Sequence, residues 1–244
     1  MSQDRPNRTP VEKRDAPVTP ASRAEVDAFL ARVRDMAPTV ESGERGRLIF
    51  ALDATMSRQP TWDLACSLQA EMFRAAASVG SLDVQLVYYR GLSECRSSRW
   101  VSQPERLAEL MGRIDCRGGH TQIRKVLAHA RRETGARKVQ TLVFVGDAME
   151  EAVDDLAASA GELGLLGVPV LMFQEGGDAI AESAFREIAR LSRGAYCRFD
   201  AGAADTLREL LRAAAVYAAG GLKALRDLSA QRHAGATRLL QQLS

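Results

Sequence analysis

The sequence predicts a doubly wound α/β fold, in which a mostly parallel sheet is flanked by helices on both faces. Apolar runs such as LIFAL and TLVFV alternate along the chain with amphipathic stretches of helical period. This alternation favours parallel strands joined by right-handed crossovers. The runs are continuously apolar, as expected for strands that helices cover on both sides. The chain of 244 residues, 46% of them apolar, is long enough for one large domain with tails.

Strands and helices are predicted in alternation from residue 47 onwards. Each strand ends at a turn or polar residue, and each helix carries one apolar stripe. The predicted strands cover 47–54, 82–91, 95–103, 139–148, 168–176 and 195–200, the third being short and polar as in an edge strand. The predicted helices cover 61–80, 104–115, 122–135, 153–167, 179–194 and 204–221. This order predicts a Rossmann-like sheet within a single domain.

The ends of the chain differ in composition from this domain. Four of the eight prolines fall in the first twenty residues, among charged and small polar side chains, so residues 1–21 are predicted to be a disordered tail. Residues 22–46 are predicted to form a helix and a linker. The main domain is placed at 47–221, and residues 222–244 are predicted to be a helical tail, which either packs on the domain or binds a partner.

Composition excludes several classes of function. The net charge is only +2 and aromatic residues make up 5%, which argues against a nucleic-acid surface. No apolar stretch has the length of a membrane helix, and the N-terminus lacks the apolar run of a secretory signal. The four cysteines have no metal-ligand spacing and are expected to be free thiols. We therefore expect a cytoplasmic protein with no membrane contact.

Oxygen-bearing side chains follow the predicted strands, at the edge of the sheet where such folds bind ligands. Asp53, Thr55 and Ser57 stand at alternate positions after the first apolar run. Asp147 follows a later buried run, and Thr121 ends the loop CRGGHT before a predicted helix. Three loops could thus bring two carboxylates and three hydroxyls together at one edge of the sheet.

These five groups are hard oxygen ligands, which suit Mg²⁺ or Mn²⁺ better than zinc or copper. Their side chains are short, so the backbone must approach the ion closely, and Gly118 and Gly119 are expected to permit that approach beside Thr121. Glu150 and Glu151 are interpreted as solvated acids at the start of a helix, where the helix dipole favours them. The neighbouring His120 is interpreted as a surface histidine.

The sequence resembles the von Willebrand factor A (VWA) domain family over roughly residues 47–220. That family carries a metal ion-dependent adhesion site (MIDAS) made of a D-x-S/T-x-S motif, a threonine in a second loop and an aspartate after a later strand. The matching segments here are DATMS at 53–57, GGHT at 118–121 and VGDA at 145–148. Met56 stands where many members have glycine, and GDA replaces the more usual TDG.

The resemblance implies a ligand set and a function. Thr55, Ser57 and Thr121 would coordinate the metal through hydroxyls, and Asp53 and Asp147 would bind it directly or through water. An open coordination position would accept a glutamate or aspartate from a partner protein. We therefore expect a non-enzymatic, metal-dependent adaptor. Cytoplasmic bacterial members of the family often act beside AAA+ ATPases or chaperone-like assemblies, so such a partner is a further expectation.

Two alternatives stay open at this point. The first is a Mg²⁺-dependent phosphohydrolase of the haloacid dehalogenase type, which also begins from an aspartate after the first strand. Such enzymes need a second aspartate two residues on, where this chain has Thr55. The second alternative is a scaffold of the same fold that has lost its metal. The chain has no nucleophile elbow, phosphate loop or dinucleotide-binding fingerprint.

Overall fold

The structure, a computed structural model, describes residues 24, 27, 28, 45–56, 59–77, 80–200 and 203–230. The strands are β1 (Gly46–Asp53), β2 (Leu82–Arg90), β3 (Glu94–Ser97), β4 (Thr141–Gly146), β5 (Val170–Glu175) and β6 (Ala195–Phe199). The helices are α1 (Gln59–Ala77), α2 (Pro104–Met111), α3 (Ile123–Ala136), α4 (Val153–Leu165), α5 (Ala179–Leu191) and α6 (Ala204–Ala230). The predicted N-terminal tail lies outside the described residues, and so does most of the helix and linker predicted at 22–46, in which residues 24, 27 and 28 are helical.

The six strands form one sheet in the order β3-β2-β1-β4-β5-β6. Every neighbouring pair is parallel except β2 with β3, which is antiparallel. The chain first adds β2 and β3 on one side of β1. It then adds β4, β5 and β6 on the other side. This is the doubly wound fold that the sequence predicts, and β3 is the predicted polar edge strand. The winding reverses between β1 and β4, so their carboxyl ends form the switch point where such sheets bind ligands.

Strand β1 separates two hydrophobic cores. All eight of its residues are buried, and alternate side chains point to opposite faces of the sheet. Leu48, Phe50 and Leu52 belong to the core beneath α1, α2 and α6. Ile49 and Ala51 belong to the core beneath α3, α4 and α5. This two-sided burial explains why the strand is continuously apolar, and it fixes the position of Asp53 at the strand's end.

The alanine-rich helix α6 packs closely on the start of β1. A Cβ atom at Gly46 would lie 2.0 Å from the backbone oxygen of Ala218, so only glycine fits there. The helix runs through the predicted domain boundary at 221/222, with Gly221 in a non-helical conformation at φ 65°. Beyond this kink, Ala224 is buried in a small cluster with Ala75 and Val216. The boundary itself stays a prediction, as does the role of the tail beyond Ala230.

Two expectations about composition can be compared with the structure. The four cysteines are free thiols, two of them buried. Among the helices that the structure describes, none is long and apolar enough to cross a membrane.

Candidate metal centre

Asp53 is the last residue of β1, and its side chain is almost wholly buried, at 2% exposure. Its Oδ1 atom accepts a hydrogen bond of 2.8 Å from the backbone N–H of Thr55. This local bond closes the turn that leads the chain away from the sheet. Thr55 is half-buried within the turn and Met56 is exposed. Ser57, the third predicted ligand of this loop, lies outside the described residues.

Asp147 comes to the same place from β4. The two strands are parallel neighbours with Leu52 opposite Val145, so the residues that follow them emerge side by side. A Cβ atom at Gly146 would lie 3.7 Å from that of Asp53. Asp147 itself is half-buried. The switch point between β1 and β4 therefore carries two neighbouring carboxylates.

The acidic side chains at this point affect the pKa of the Tyr89 phenol. Tyr89 lies beside Asp53 in the β1–β2 register and is fully buried. Burial raises the pKa of Tyr89 well above its ordinary value, and the charge of Asp53 raises it further. Glu151 and Asp147 add to this increase in pKa. Three carboxylates thus act together on one buried group.

The loop before α3 crosses the carboxyl ends of β1 and β2. The backbone N–H of Arg117 donates to the oxygen of Ala54 at 2.9 Å, and that of His120 donates to the oxygen of Gly91 at 3.1 Å. A Cβ atom at Gly119 would lie 2.1 Å from the Gly91 oxygen, so the backbones of the two loops meet closely there. A Cβ atom at Gly118 would meet nothing within 4 Å, and the approach of either glycine to an ion stays a prediction.

Thr121 is buried at the end of this loop, and the loop after β4 contacts it. Its Oγ1 accepts a hydrogen bond of 3.0 Å from the backbone N–H of Glu150. The Glu150 carboxylate in turn accepts from the backbone N–H of Thr121 at 3.3 Å and contacts Nδ1 of His120 at 2.8 Å. The neighbouring Glu151 accepts from the backbone N–H groups of Ile123 and Arg124. The loop of Thr121 and the loop of Asp147 are therefore joined directly.

The interpretation of Glu150 and Glu151 as solvated acids of their own helix needs correction. Glu150 is exposed, but its carboxylate bonds to the loop before α3, and Glu151 binds the N-terminus of α3 rather than that of α4. His120 is exposed as expected, yet it also takes part in this contact. A hydrogen bond to the backbone amide of a distant segment does not depend on any local residue pattern, so the sequence could not reveal these bonds.

One more carboxylate lies at this edge of the sheet. Glu175 ends β5, one residue beyond the Gly146–Gln174 pair in the β4–β5 register, and is 8% exposed. It accepts a hydrogen bond from the hydroxyl of Thr61 in the first turn of α1. Glu175 is not among the ligands predicted from the sequence, although an acidic residue at the end of a buried strand is the same signal that identified Asp53.

Four of the five predicted ligands lie at the β1–β4 switch point: Asp53 at the end of β1, and Thr55, Thr121 and Asp147 on the loops that meet there. The donors are carboxylate and hydroxyl oxygens, which fit a hard divalent cation. Within the described ranges, no group of three His, Cys, Asp or Glu side chains is arranged to hold a metal.

Comparison with known proteins gives similarity in structure only. No family model matches the sequence, and no curated protein matches it. A von Willebrand factor type A structure from Catenulispora acidiphila is 18% identical with a TM-score of 0.57, covering 71% of this chain and 43% of that one. The SpRpn10 VWA domain is 10% identical with a TM-score of 0.54, covering 67% and 94% respectively.

A third similar structure is that of proximal thread matrix protein 1 from the mussel byssus, described with a zinc-occupied MIDAS motif. It is 14% identical with a TM-score of 0.57, covering 72% of this chain and 47% of that one. The chain thus spans less than half of two of these proteins and nearly all of the SpRpn10 domain. Its strand order and these similarities together show that the chain has the von Willebrand factor A fold.

Proposed function

We propose that this chain is a non-enzymatic, metal-dependent protein-binding module. Asp53, Thr55, Ser57, Thr121 and Asp147 would hold a Mg²⁺ or Mn²⁺ ion at the β1–β4 switch point. When bound, the cation would supply an electrophilic centre that accepts a glutamate or aspartate carboxylate from a partner protein. The partner's carboxylate would thus complete a coordination shell that the chain leaves open.

We base the proposal chiefly on one observation, the position of Asp53 and Asp147 side by side at the ends of two neighbouring parallel strands. Asp53, Glu151 and Asp147 all raise the pKa of the buried Tyr89 phenol. Like charges in a poorly solvated region repel one another, and a divalent cation relieves that repulsion. The hydroxyl of Thr121 lies on a loop joined to that of Asp147, so a neutral oxygen donor is available beside the carboxylates.

The residues of the chain have separate tasks in this mechanism. Asp53 supplies a buried carboxylate whose orientation is fixed by its bond to the Thr55 amide. Asp147 supplies a second, half-buried carboxylate from the neighbouring strand. The hydroxyl groups are neutral, so they would supply oxygen ligands without cancelling the cation's charge. Binding of a further anionic oxygen therefore remains favourable.

The VWA fold supports binding rather than phosphoryl chemistry. Proximal thread matrix protein 1, which shares this fold, is described with zinc in its MIDAS motif. A phosphohydrolase of the haloacid dehalogenase type would need a second carboxylate where Thr55 stands. An AAA+ ATPase or chaperone-like assembly as partner, and a cytoplasmic location, remain parts of this proposal.

Metal titration of the purified chain tests the proposal. Isothermal calorimetry with Mg²⁺ and Mn²⁺, together with thermal melting, should show saturable binding and stabilisation of the wild type. Asp53→Ala and Asp147→Ala should remain folded and lose both effects. Asp154→Ala is the matched control, because Asp154 is an exposed acid near the site but is not a predicted ligand.

The outcomes separate the proposal from its alternatives. Equal metal binding by the wild type and Asp53→Ala would show that the site lies elsewhere, and no binding at all would favour the scaffold that has lost its metal. Asp53-dependent phosphatase activity would favour the enzyme. Once a protein partner has been identified, its binding should be lost in chelator and in Asp147→Ala.

A further inference from the structure

We propose that Glu150 and Glu151 are positioning residues that fasten the Thr121 loop to the Asp147 loop and thereby set the affinity of the metal site. The inference rests on the proposed function, since it concerns how that site is held in shape. Neither glutamate is among the predicted ligands. Their hydrogen bonds instead connect two loops that carry ligands and that come from different parts of the fold.

Glu151 provides the cap that the N-terminus of α3 otherwise lacks. The N-cap residue of this helix, Gln122, makes no capping bond with its side chain; its amide donates to the backbone oxygens of Arg90 and Gly91 instead. The Glu151 carboxylate accepts from the backbone N–H groups of Ile123 and Arg124, the latter at 3.0 Å. A carboxylate at this position also interacts favourably with the helix dipole. Helix α3 therefore begins at a place set by Glu151.

Glu150 and Thr121 bond to each other reciprocally. The backbone N–H of Glu150 donates to Oγ1 of Thr121, while the carboxylate of Glu150 accepts from the backbone N–H of Thr121. A hydroxyl oxygen has two lone pairs, and the first of these bonds uses one of them. The other lone pair is left for a metal ion, and the bond from Glu150 restricts the direction in which the hydroxyl can rotate.

These contacts matter because the ligands come from separate segments. Asp147 follows β4, whereas Thr121 precedes α3. Glu150 and Glu151 lie three and four residues beyond Asp147, so their bonds set the separation between the two ligands. Groups that orient metal ligands in this way commonly change metal affinity by about 10–100-fold when they are altered.

A simpler explanation must be separated from this one, because each glutamate also adds negative charge near the cation. Glu151→Gln removes both the charge and one acceptor oxygen. Glu151→Asp keeps the charge but shortens the side chain by one methylene, so that it no longer reaches both amides. Asp154→Asn removes a nearby exposed charge and leaves the Glu151 bonds intact.

The experiment measures Mn²⁺ affinity by calorimetry and amide hydrogen exchange by NMR in the full chain. Exchange is followed at Ile123 and Arg124 without metal. We expect Glu151→Gln and Glu151→Asp each to weaken Mn²⁺ binding about tenfold or more and to speed exchange at both amides. Asp154→Asn should change neither quantity by more than about twofold. Urea unfolding in chelator should show only a small loss of stability for both Glu151 variants. A large loss would instead indicate a general structural defect, which lowers stability and affinity together.

Two results would overturn the inference. If Glu151→Asp bound Mn²⁺ as the wild type does while Glu151→Gln did not, charge rather than position would explain the effect. Unchanged exchange at Ile123 and Arg124 would show that Glu151 does not hold this end of the helix. If the wild type bound no metal, the proposed function would fail and the effect on affinity with it. Exchange would still decide whether Glu151 holds the start of α3 to the Asp147 loop, so the two failures are distinguishable.

Discussion

Strand β1 carries a buried charged residue near each end, and the charges around these two residues differ. Arg47, the second residue of the strand, is 6% exposed, and Asp53, the last, is 2% exposed. Both charges would be costly to bury alone. The groups around each buried charge determine whether that charge stabilises the fold or favours binding of an external ion.

Arg47 is balanced entirely by groups of its own chain. Its guanidinium donates to the backbone oxygen of Arg137 and to the Glu133 carboxylate, the latter at 3.2 Å. It also stacks on the ring of Trp100, 3.8 Å from the ring centroid. Burial lowers the pKa of Arg47, and Glu133 opposes that effect. This arrangement is complete and needs no ligand.

Two further acidic side chains lie near Asp53. The charges that act with it on Tyr89 belong to Glu151 and Asp147, so the chain concentrates negative charge there. The difference between the two ends indicates that a buried charge balanced by opposite charge holds the fold together, whereas a group of like charges favours binding an external ion. A pair of charge-removing substitutions can test this distinction.

Removing each charge should have very different effects on metal-free stability. Arg47→Met leaves the Glu133 carboxylate without its buried partner, and breaking such a pair costs about 3–5 kcal/mol. Asp53→Asn keeps an oxygen to accept from the Thr55 amide and reduces repulsion among carboxylates, so stability in chelator should be unchanged or raised. Urea unfolding of both variants measures the two free energies.

Arg47→Lys serves as the control for the amino end of β1, because it keeps the charge but loses the stacking and the forked hydrogen bonds. It should fall between the wild type and Arg47→Met, and it remains measurable if Arg47→Met does not fold. A loss of stability in Asp53→Asn as large as that in Arg47→Met would contradict the comparison, since it would make Asp53 a structural charge too.

The sequence predicts the sheet and its edge better than it predicts the contacts between loops. Period-2 and period-3.6 patterns record burial, and burial is what defines β1, β4 and the helices that cover them. The ends of these strands are therefore predictable, and Asp53 and Asp147 with them. Glu151 is different, because its partners are the backbone amides of Ile123 and Arg124, which any residue type at those positions would offer.

The same limit applies to the glycines of the second loop. Gly118 and Gly119 look alike in the sequence, and only the fold reveals that one of them touches the Gly91 backbone. Close approach of two loops depends on how the whole sheet places them. Local composition therefore predicts that a loop is flexible in its backbone, but not which residue of the loop needs that freedom.

Substitution at these two glycines should show that the carboxyl end of β1 depends on backbone proximity. A Cβ atom at Gly119 would lie 2.1 Å from the Gly91 oxygen, so Gly119→Ala must displace the loop. We expect a loss of about 1–3 kcal/mol in stability, as in other overpacked sites, and weaker Mn²⁺ binding because Thr121 moves. Urea unfolding and calorimetry measure the two effects.

Gly118→Ala is the matched control, since the added methyl group meets nothing within 4 Å. It should change stability by no more than about 0.5 kcal/mol and leave Mn²⁺ affinity unchanged. Equal effects from the two alanines would mean that general stiffening of the loop, rather than contact with Gly91, is responsible.

The network around Arg47 also contains a titratable group, His129. Its Nε2 lies 2.8 Å from Oε1 of Gln85, and its Nδ1 lies 3.2 Å from the guanidinium of Arg132. These contacts suit a neutral ring that donates through Nε2 and accepts at Nδ1. A second proton would face the Arg132 cation. Burial lowers the pKa of His129; the nearby Glu133 carboxylate opposes this effect and Arg132 adds to it.

The smallest expected effect is a decrease in the free energy of unfolding at acidic pH. Because the pKa of His129 is lower in the folded protein, the unfolded chain takes up this proton first, below its ordinary pKa of about 6.5. The free energy of unfolding should therefore fall as the pH drops below that value, by at most about 1.4 kcal/mol per pH unit for one proton. Urea unfolding at pH 7.5, 6.5 and 5.5 measures this slope, and His129→Gln should reduce it while keeping a donor for Gln85. An identical slope in the variant would show that other groups cause it, and that the balanced end of β1 does not respond to pH through this histidine.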